Sequence, residues 1–255
     1  MIDLEVREAG RKQYEFLALL GHELRNPLAA ITAALKVLRR CGDDGTTRDL
    51  VQGVLERQTH QLGCLIEQLQ EFTRLNNGKT QLQKRQVDLA QVVNLAIETV
   101  QPCIDERRHV LEVALPPVTL ETDPTRLAQV LTNLLENAAK YTDPCGRIWL
   151  TVEPTTEAVV LRVRDTGIGI TPEMLPHVFE LFAQSDRALS RSGGGLGIGL
   201  ALVRRLVEAL GGNVSAFSPG LGEGSEFVVY LPRTTSSEKH NGTSFAKEYE
   251  HASAT

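Results

Sequence analysis

The sequence predicts an α+β protein with two parts: a two-helix hairpin that dimerises into a four-helix bundle, followed by a two-layer α/β sandwich. Two observations support this fold class. Apolar residues within positions 1–77 recur about every 3.5 residues along two stretches, the spacing of a bundle or coiled-coil seam. Over residues 87–233, helix-like and strand-like segments follow one another in an order typical of helices packed on one side of a mixed sheet.

The two predicted helices of residues 1–77 are expected to be antiparallel neighbours, because only a short polar loop at 42–47 separates them. The first seam consists of Leu17, Leu20, Leu24, Leu28, Ile31, Leu35 and Leu38. The second consists of Val51, Leu55, Gln58, Leu62, Leu65, Leu69 and Phe72. Two helices cannot cover two such seams, whereas a second copy would bury both in a four-helix bundle. We therefore expect a homodimer through residues 1–77.

Residues 78–86 are expected to be a linker to a second domain over residues 87–233. Asp123-Pro124 marks the start of a helix that should end near Tyr141, because an N-cap carboxylate followed by proline is a strong start signal. The other predicted elements are a helix from Asp88 to about Val100, strands at 109–115, 118–122, 147–153 and 158–164, a helix over 198–210, and strands at 213–218 and 225–231. The polar residues 234–255 are expected to be a disordered tail.

Composition excludes several classes of protein. The net charge of −5 argues against a basic nucleic-acid surface or a polybasic lipid anchor. No apolar stretch approaches the ~18 residues of a membrane span, and charges occupy the positions where a signal peptide needs an apolar core. A cytoplasmic chain without a membrane segment is therefore expected, unless it is part of a longer anchored protein. The scattered cysteines are expected to be reduced thiols and not a disulfide framework or a zinc site: Cys41, Cys64, Cys103 and Cys145.

His22 is the first candidate functional residue. It lies about 160° around the helix from the seam leucines Leu20 and Leu24, so it should face solvent. A lone exposed histidine usually has no function, but Glu23 can take or orient an imidazole proton and leave the other ring nitrogen as a nucleophile. Pro27 also interrupts the helix nearby. The remaining histidines lack such a setting and are expected to be structural or solvated: His60, His109, His177, His240 and His251.

Asn133, Asn137 and Lys140 form a polar stripe on the helix that begins at Asp123. Such a stripe is most often a solvated face. Two carboxamides one turn apart, with a lysine beyond them, are nevertheless a suitable set for Mg²⁺ and phosphate. Magnesium keeps several waters and needs few protein oxygens, and lysine supplies a point charge for phosphate.

Glycine is concentrated late in the chain, since 12 of the 21 glycines fall between Gly167 and Gly224. The segment 165–169, Asp-Thr-Gly-Ile-Gly, follows an apolar strand, and its carboxylate could accept a hydrogen bond from an exocyclic amine such as that of adenine. The run 193–199 opens directly into a helix, where glycine permits close backbone approach and the helix N-terminus favours phosphate. Neither segment is a Walker A loop or a dinucleotide-binding fingerprint. The glycines at 220, 222 and 224 are expected to form a hairpin turn.

Several segments together resemble the sensor histidine kinases of two-component systems. Residues 16–28, Phe-Leu-Ala-Leu-Leu-Gly-His-Glu-Leu-Arg-Asn-Pro-Leu, resemble the phospho-acceptor box. Residues 133–142, Asn-Leu-Leu-Glu-Asn-Ala-Ala-Lys-Tyr-Thr, resemble the N-box. The two glycine segments resemble the G-boxes of the Bergerat ATP-binding fold, and 178–182, Val-Phe-Glu-Leu-Phe, resembles the F-box between them. The resemblance covers residues 12–232 in family order, with a departure at Leu196, where many relatives carry threonine.

The resemblance implies specific roles. His22 would be the phosphorylated residue, Glu23 the general base, and Asn26 the residue that positions water for dephosphorylating the partner. Asn137 would be the Mg²⁺ ligand, with Asn133 and Lys140 at the phosphates and Tyr141 near the ribose or base. The further nucleotide-binding residues that it implies are Asp165, Gly167, Gly169, Phe182, Arg191, Gly194, Gly195, Leu196, Gly197, Ile198, Gly199 and Leu200. Residues 183–192 would form a lid from which one arginine, Arg187 or Arg191, could reach the γ-phosphate.

The resemblance therefore implies an ATP-dependent protein-histidine kinase, with residues 1–77 as dimerisation and phospho-acceptor domain and residues 87–233 as ATP-binding catalytic domain. ATP and Mg²⁺ would be its cofactors. The phosphoryl group would pass from His22 to an aspartate of a response-regulator receiver domain, with dephosphorylation of that regulator as a further activity. Two alternatives stay open: an ATP-binding scaffold or phosphatase-only regulator of the same fold, and another Bergerat-fold ATPase. Input would come from a sensor domain or a protein acting in trans, and no nucleic-acid partner is expected.

Overall fold

Two helices precede the α/β domain in this computed structural model, which describes residues 20–21, 24–40, 45–76, 82–181, 183 and 197–233. Helix α1 is continuous over residues 24–38, and α2 spans Gly45–Asn76. Of the predicted seam residues, Val51 and Leu65 of α2 are buried, whereas Leu28 and Leu35 of α1 are 56% and 44% exposed in the single chain. Within the described part of the chain, no other segment therefore covers these two seam residues of α1.

The α/β domain is built on a five-stranded sheet in the order β2-β4-β5-β7-β6. Only β2 and β4 are parallel, and the other neighbours are antiparallel. The strands are β2 (Val110–Ala114), β4 (Arg147–Pro154), β5 (Ala158–Asp165), β6 (Asn213–Phe217) and β7 (Ser225–Pro232). A separate antiparallel pair joins β1 (Arg85–Asp88) to β3 (Thr119–Thr122).

Three helices, α3 (Leu89–Glu106), α4 (Pro124–Tyr141) and α5 (Gly199–Leu210), supply the second layer, and a 3₁₀ turn lies at Leu175–His177. Their apolar faces and the inward side of the sheet form one core, because alternate strand residues such as Ile148, Leu150 and Val152 are buried. The described residues thus confirm the predicted α+β fold class, a helical region followed by a mixed-sheet sandwich. Among them, no helix combines the length and apolar character needed to cross a lipid bilayer.

The aspartates that were predicted to start α3 and α4, Asp88 and Asp123, cap the first turns of these helices with their side chains. Asp123 Oδ1 accepts hydrogen bonds from the backbone amides of Thr125 at 3.0 Å and Arg126 at 3.2 Å, with Pro124 as first helical residue. Asp88 caps α3 by accepting from the amide of Ala90 at 3.0 Å. These caps fix where both helices begin, and the buried apolar residues of each helix face the sheet.

Helix α3 continues six residues beyond the predicted end at Val100, so the prediction of its end was wrong. It passes through Pro102, which removes one helical hydrogen bond. Val100 and Ile104 lie one turn apart and are both buried in the core. Their burial outweighs the cost of the proline, because tertiary packing of an apolar face is the main source of helix stability in proteins.

The end of α3 is a Schellman motif with an arginine at its left-handed position. The amide of Arg108 donates to the carbonyl of Asp105 at 3.0 Å, and the amide of His109 donates to that of Ile104 at 2.9 Å. Arg108 has φ of +56°. Helix α5 ends with the same pair of hydrogen bonds, but there Gly211 occupies the left-handed position with φ of +91°.

The helical region contacts the α/β domain through α2. Leu65 is part of the buried core of that domain, and α2 lies against α5. Glu71, near the end of α2, forms an ion pair with Arg126 of α4, with 2.7 Å between Oε1 and Nη1. Glu71 is 7% exposed, so this ion pair is largely shielded from solvent.

Replacing Arg108 by glycine is expected to leave the free energy of unfolding unchanged or to raise it by up to about 1.5 kcal/mol. A residue with a Cβ in the left-handed region costs about 1–2 kcal/mol, and the greater freedom of glycine in the unfolded chain costs about 0.5–1 kcal/mol. Urea unfolding followed by circular dichroism measures the difference. The matched variant Gly211→Ala should lose about 1 kcal/mol, since its Cβ would meet open space and only the backbone conformation is penalised. An equal loss in both variants would contradict this account of the α3 terminus.

Candidate functional site

The polar stripe of α4 faces the first residue of α5. The Nδ2 of Asn133 donates to the carbonyl of Gln129 at 2.8 Å, which leaves its Oδ1 on the side of Gly199. A Cβ on Gly199 would lie 3.2 Å from that oxygen and 4.0 Å from the Nδ2 of Asn137. Glycine therefore allows α5 to begin directly against the two carboxamides.

The start of α5 offers backbone amides to an anion. Ile198, the residue before the helix, makes no side-chain cap hydrogen bond, so the first amides of α5 receive no cap from it. Uncapped amides at a helix N-terminus are suited to bind phosphate, and the helix dipole adds to this preference. The side chain of Ile198 is buried and that of Leu200 packs on the core, so their contacts with a ligand would be made by the backbone. Gly197, which precedes them, has φ of +66°.

The residues present suit a magnesium ion held together with a phosphate ligand. Asn133 and Asn137 bring carboxamide groups to the start of α5, and Mg²⁺ needs only one or two protein oxygens when water and phosphate supply the rest. No cluster of three or more histidine, cysteine or acidic side chains suited to a metal occurs within the described part of the chain. A metal here would therefore depend on the carboxamides and the nucleotide for its ligands.

Asp165 lies at the end of β5 with its carboxylate buried and fully oriented by neighbours. Its Oδ1 accepts from the amides of Gly167 at 2.7 Å and Ser225 at 3.3 Å, and its Oδ2 accepts from the hydroxyl of Ser225 at 2.6 Å. Burial raises the pKa of Asp165, and the hydrogen bonds from Ser225 and Gly167 offset this only in part. A carboxylate has about four acceptor positions, so one remains for an exocyclic amine.

The glycine loop after Asp165 is held by the loop between β6 and β7. The amide of Gly222 donates to the carbonyl of Ile168 at 2.8 Å, and the hydroxyl of Ser218 accepts from the amide of Ile170 at 2.9 Å. Gly169 has φ of +68°, and a Cβ there would lie 1.9 Å from the carbonyl oxygen of Gly220. The two loops are therefore in backbone-to-backbone contact, and the expected hairpin glycines also support the predicted ligand loop.

The same loop is joined to the end of α4. The amide of Ile168 donates to the carbonyl of Tyr141 at 3.1 Å. Tyr141 is half-buried, and burial raises the pKa of its hydroxyl. The Nζ of Lys140 lies 5.1 Å from the centre of the Tyr141 ring, within the range of a cation–π contact. The carboxamides, Lys140, Tyr141 and Asp165 thus lie in continuous succession along one end of the sandwich.

Other predicted site residues are placed less centrally or lie outside the described residues. Asn26 is exposed on α1, and Gly167 is in the loop that Asp165 orients. The residues outside the described range are His22, Glu23, Phe182, Arg187, Arg191, Gly194, Gly195 and Leu196.

Ser218 and Ser225 contact the candidate site but were not predicted from the sequence. The signal that could have revealed Ser225 is its place at the first position of a strand, directly after the Gly-Glu-Gly of the turn.

An oriented, buried carboxylate at a strand end, a carboxamide stripe and a helix start that Ile198 does not cap are suited together to bind a nucleotide. Residues 122–235 match the family model described as histidine kinase-, DNA gyrase B-, and HSP90-like ATPase. Residues 12–78 match the His Kinase A (phospho-acceptor) domain. The chain belongs to the sensor histidine kinases of two-component systems.

Similar proteins share both parts of the chain. The circadian input-output histidine kinase CikA of Synechococcus elongatus is 34% identical over 228 residues, which cover 87% of this chain and 30% of CikA. The autoinducer 2 sensor kinase/phosphatase LuxQ of Vibrio vulnificus is 32% identical over 237 residues, covering 89% of this chain and 27% of LuxQ. The crystal structure of full-length ShkA in complex with AMPPNP matches with a TM-score of 0.63 and 31% identity, covering 88% of this chain and 47% of ShkA. This chain therefore spans less than half the length of each of these three proteins.

Gly169→Ala is expected to weaken nucleotide binding by at least about tenfold, because a Cβ that overlaps the Gly220 carbonyl must displace the loop, and loss of one hydrogen bond to a charged group has an effect of this size. Calorimetric titration with Mg-ADP measures the affinity, and circular dichroism checks that the fold is retained. Gly211→Ala is the control: it also places alanine at a positive φ, but with no atom within 4 Å. Retention of wild-type affinity in Gly169→Ala would show that the contact between the loops does not support the site.

Proposed function

We propose that this chain is the core of an ATP-dependent protein-histidine kinase that phosphorylates its own His22 and passes the phosphoryl group to an aspartate of a response-regulator receiver domain. The observation that carries the proposal is a connected series of contacts, in which the loop after Asp165 meets the end of α4 and the polar stripe of α4 meets the start of α5. The AMPPNP complex of the similar ShkA protein supports binding of an ATP-type nucleotide by this fold.

Each described group has a role that follows from its chemistry. Asp165 accepts a hydrogen bond from the exocyclic amine of adenine, and the amides at the start of α5 bind phosphate oxygens. Lys140 adds positive charge at the phosphates, and Asn137, assisted by Asn133, would hold Mg²⁺. When bound, Mg²⁺ neutralises charge that develops on the transferring phosphoryl group.

In the proposed phosphoryl transfer, Nε2 of His22 attacks the γ-phosphorus in line. A nitrogen–phosphorus bond forms as the bond from the γ-phosphorus to the bridging oxygen breaks and ADP leaves. Glu23 takes or orients the proton on the other ring nitrogen, so that the attacking nitrogen presents its lone pair. The aspartate of the receiver domain then displaces the histidine from phosphorus. These roles of His22 and Glu23 rest on the phospho-acceptor sequence.

Two further parts of the proposal concern the helical region. We propose a homodimer through residues 1–77, supported by the exposed seam residues Leu28 and Leu35 on α1. We also propose that the chain dephosphorylates its regulator. Asn26 is exposed and follows His22 by four residues in the sequence, its carboxamide can orient water, and the similar LuxQ protein is named a kinase/phosphatase.

Incubation with γ-labelled ATP and Mg²⁺ is expected to label the wild-type protein and to leave His22→Ala unlabelled. The reason is that the proposed acceptor of the phosphoryl group is Nε2 of His22, which the variant lacks. Acid-lability and base-stability of the label identify a phosphohistidine. His240→Ala, a histidine outside all family boxes, should be labelled like the wild type. Label that survives in His22→Ala would exclude His22 as the acceptor.

Asn137→Ala is expected to reduce the initial rate of labelling by at least about 100-fold, since it removes the proposed Mg²⁺ ligand that positions and neutralises the phosphates. Sedimentation velocity of the same sample should still give a dimer, which separates catalysis from assembly. Glu136→Ala, an exposed neighbour on α4, is the control and should be labelled at a rate close to that of wild type. A full labelling rate in Asn137→Ala would contradict the assignment of the metal site.

A further inference from the structure

The last three carbonyl groups of α4 have no partner within the helix, and each is bound by a group beyond it. The carbonyl of Ala138 accepts the last helical hydrogen bond, from the amide of the C-cap residue Thr142 at 3.1 Å, and that of Tyr141 accepts from the amide of Ile168. The two carbonyls between them are bound by side chains from the segment that joins α3 to β2. His109 Nε2 lies 2.9 Å from the carbonyl oxygen of Ala139, and Arg107 Nη1 lies 3.0 Å from that of Lys140.

The ring of His109 is oriented by this contact. A carbonyl oxygen only accepts hydrogen bonds, so Nε2 carries a proton and donates it to this contact, and Nδ1 points away from the helix end. That Nδ1 is buried and has no hydrogen-bond partner among the described residues. A buried polar atom without a partner destabilises the fold. The hydrogen bond from Nε2 to the carbonyl of Ala139 is therefore the polar contact that the buried His109 side chain makes here.

The backbone between the two side chains is also fixed. Arg107 and His109 flank Arg108, whose positive φ turns the chain out of α3 in the Schellman motif. The same segment binds the turn after α4, because the amide of Cys145 donates to the carbonyl of Arg107 at 3.0 Å. Arg107 further places a positive charge at the C-terminal end of α4, where the helix dipole is negative.

We propose that His109 and Arg107 are positioning residues for nucleotide binding, which act by holding the last turn of α4 in place. That turn carries Lys140 and Tyr141, and through the Tyr141 carbonyl it holds the amide of Ile168 in the glycine loop. Loss of the His109 contact lets the turn fray, and the groups that meet the nucleotide lose their alignment. The inference rests on the proposed function, because it assigns the residues that orient the nucleotide site described there.

The experiment compares His109→Leu, which removes the donor, with His109→Gln, whose Nε2 can donate from a similar position. Calorimetric titration with Mg-ADP should show an affinity loss of about tenfold for His109→Leu, the size expected for one buried hydrogen bond. His109→Gln should stay within about twofold of wild type. Arg107→Met, which removes the neighbouring contact, should weaken binding by about threefold.

A control separates positioning from general stability. Val152→Ala creates a cavity in β4 near the end of the strand opposite to Asp165, and it should lower the melting temperature without changing the affinity for Mg-ADP. Hydrogen exchange of the Ile168 and Thr142 amides in nucleotide-free protein gives a second readout. Both amides bond to carbonyls of the last turn of α4, so His109→Leu should speed their exchange and His109→Gln should not.

The outcomes distinguish the two proposals. A wild-type protein that does not bind Mg-ADP would overturn the proposed function and this inference together. Wild-type binding with an unchanged affinity in His109→Leu would overturn the inference alone. Equal losses in His109→Leu and His109→Gln would also overturn it, since the hydrogen bond to Ala139 would then not be the cause. If the backbone amides of Ile168 and Thr142 exchange as slowly in His109→Leu as in the wild type, fraying of the last turn of α4 would likewise be excluded.

Discussion

The rotational setting of α4 is the constraint on which the rest of the domain depends. Successive helical residues advance by about 100°, so placing Leu127, Leu131 and Leu134 in the core also fixes the direction of Asn137 and Lys140. The cap at Asp123 determines where this helix begins, whereas the buried leucines determine its rotation about its own axis. Core packing and site geometry are in this way two consequences of one helix orientation, and a change that rotates α4 would disturb both.

Much of the fold could be predicted because its signals are local. The start of α4 was predicted from the adjacent residues Asp123 and Pro124, and β4 from the β-rich run at 147–153, and both are confirmed. Strand β1 was not predicted, because it has four residues of which only Val87 is buried, and its pairing with β3 joins distant segments. The end of α3 was predicted wrongly for a similar reason. Burial of Ile104 in the core decides it, and no sequence window around Pro102 contains that information.

The residues of the candidate site also differ in whether their signals are local in the sequence. Asp165 and the stripe of α4 were predicted because their residue types and spacing are unusual near a strand end and on one helix. Ser225 and His109 act through partners that lie 60 and 30 residues away in the sequence. The turn before Ser225 marks its place at the start of a strand, but nothing in the sequence near either residue identifies its partner. His109 was expected to be structural or solvated, and the structure shows it buried with its ring against the end of α4.

Both ends of α4 carry contacts that join separate parts of the chain. At its first turn, Arg126 pairs with Glu71 of α2, and the carboxylate of Asp123 also accepts from the amide of Gln83, which precedes β1. At its last turn, the Tyr141 carbonyl binds the glycine loop. A helix is stiff along its axis because every residue within it is fixed by backbone hydrogen bonds. Within the described residues, α4 therefore links the helical region at one end to the glycine loop after Asp165 at the other.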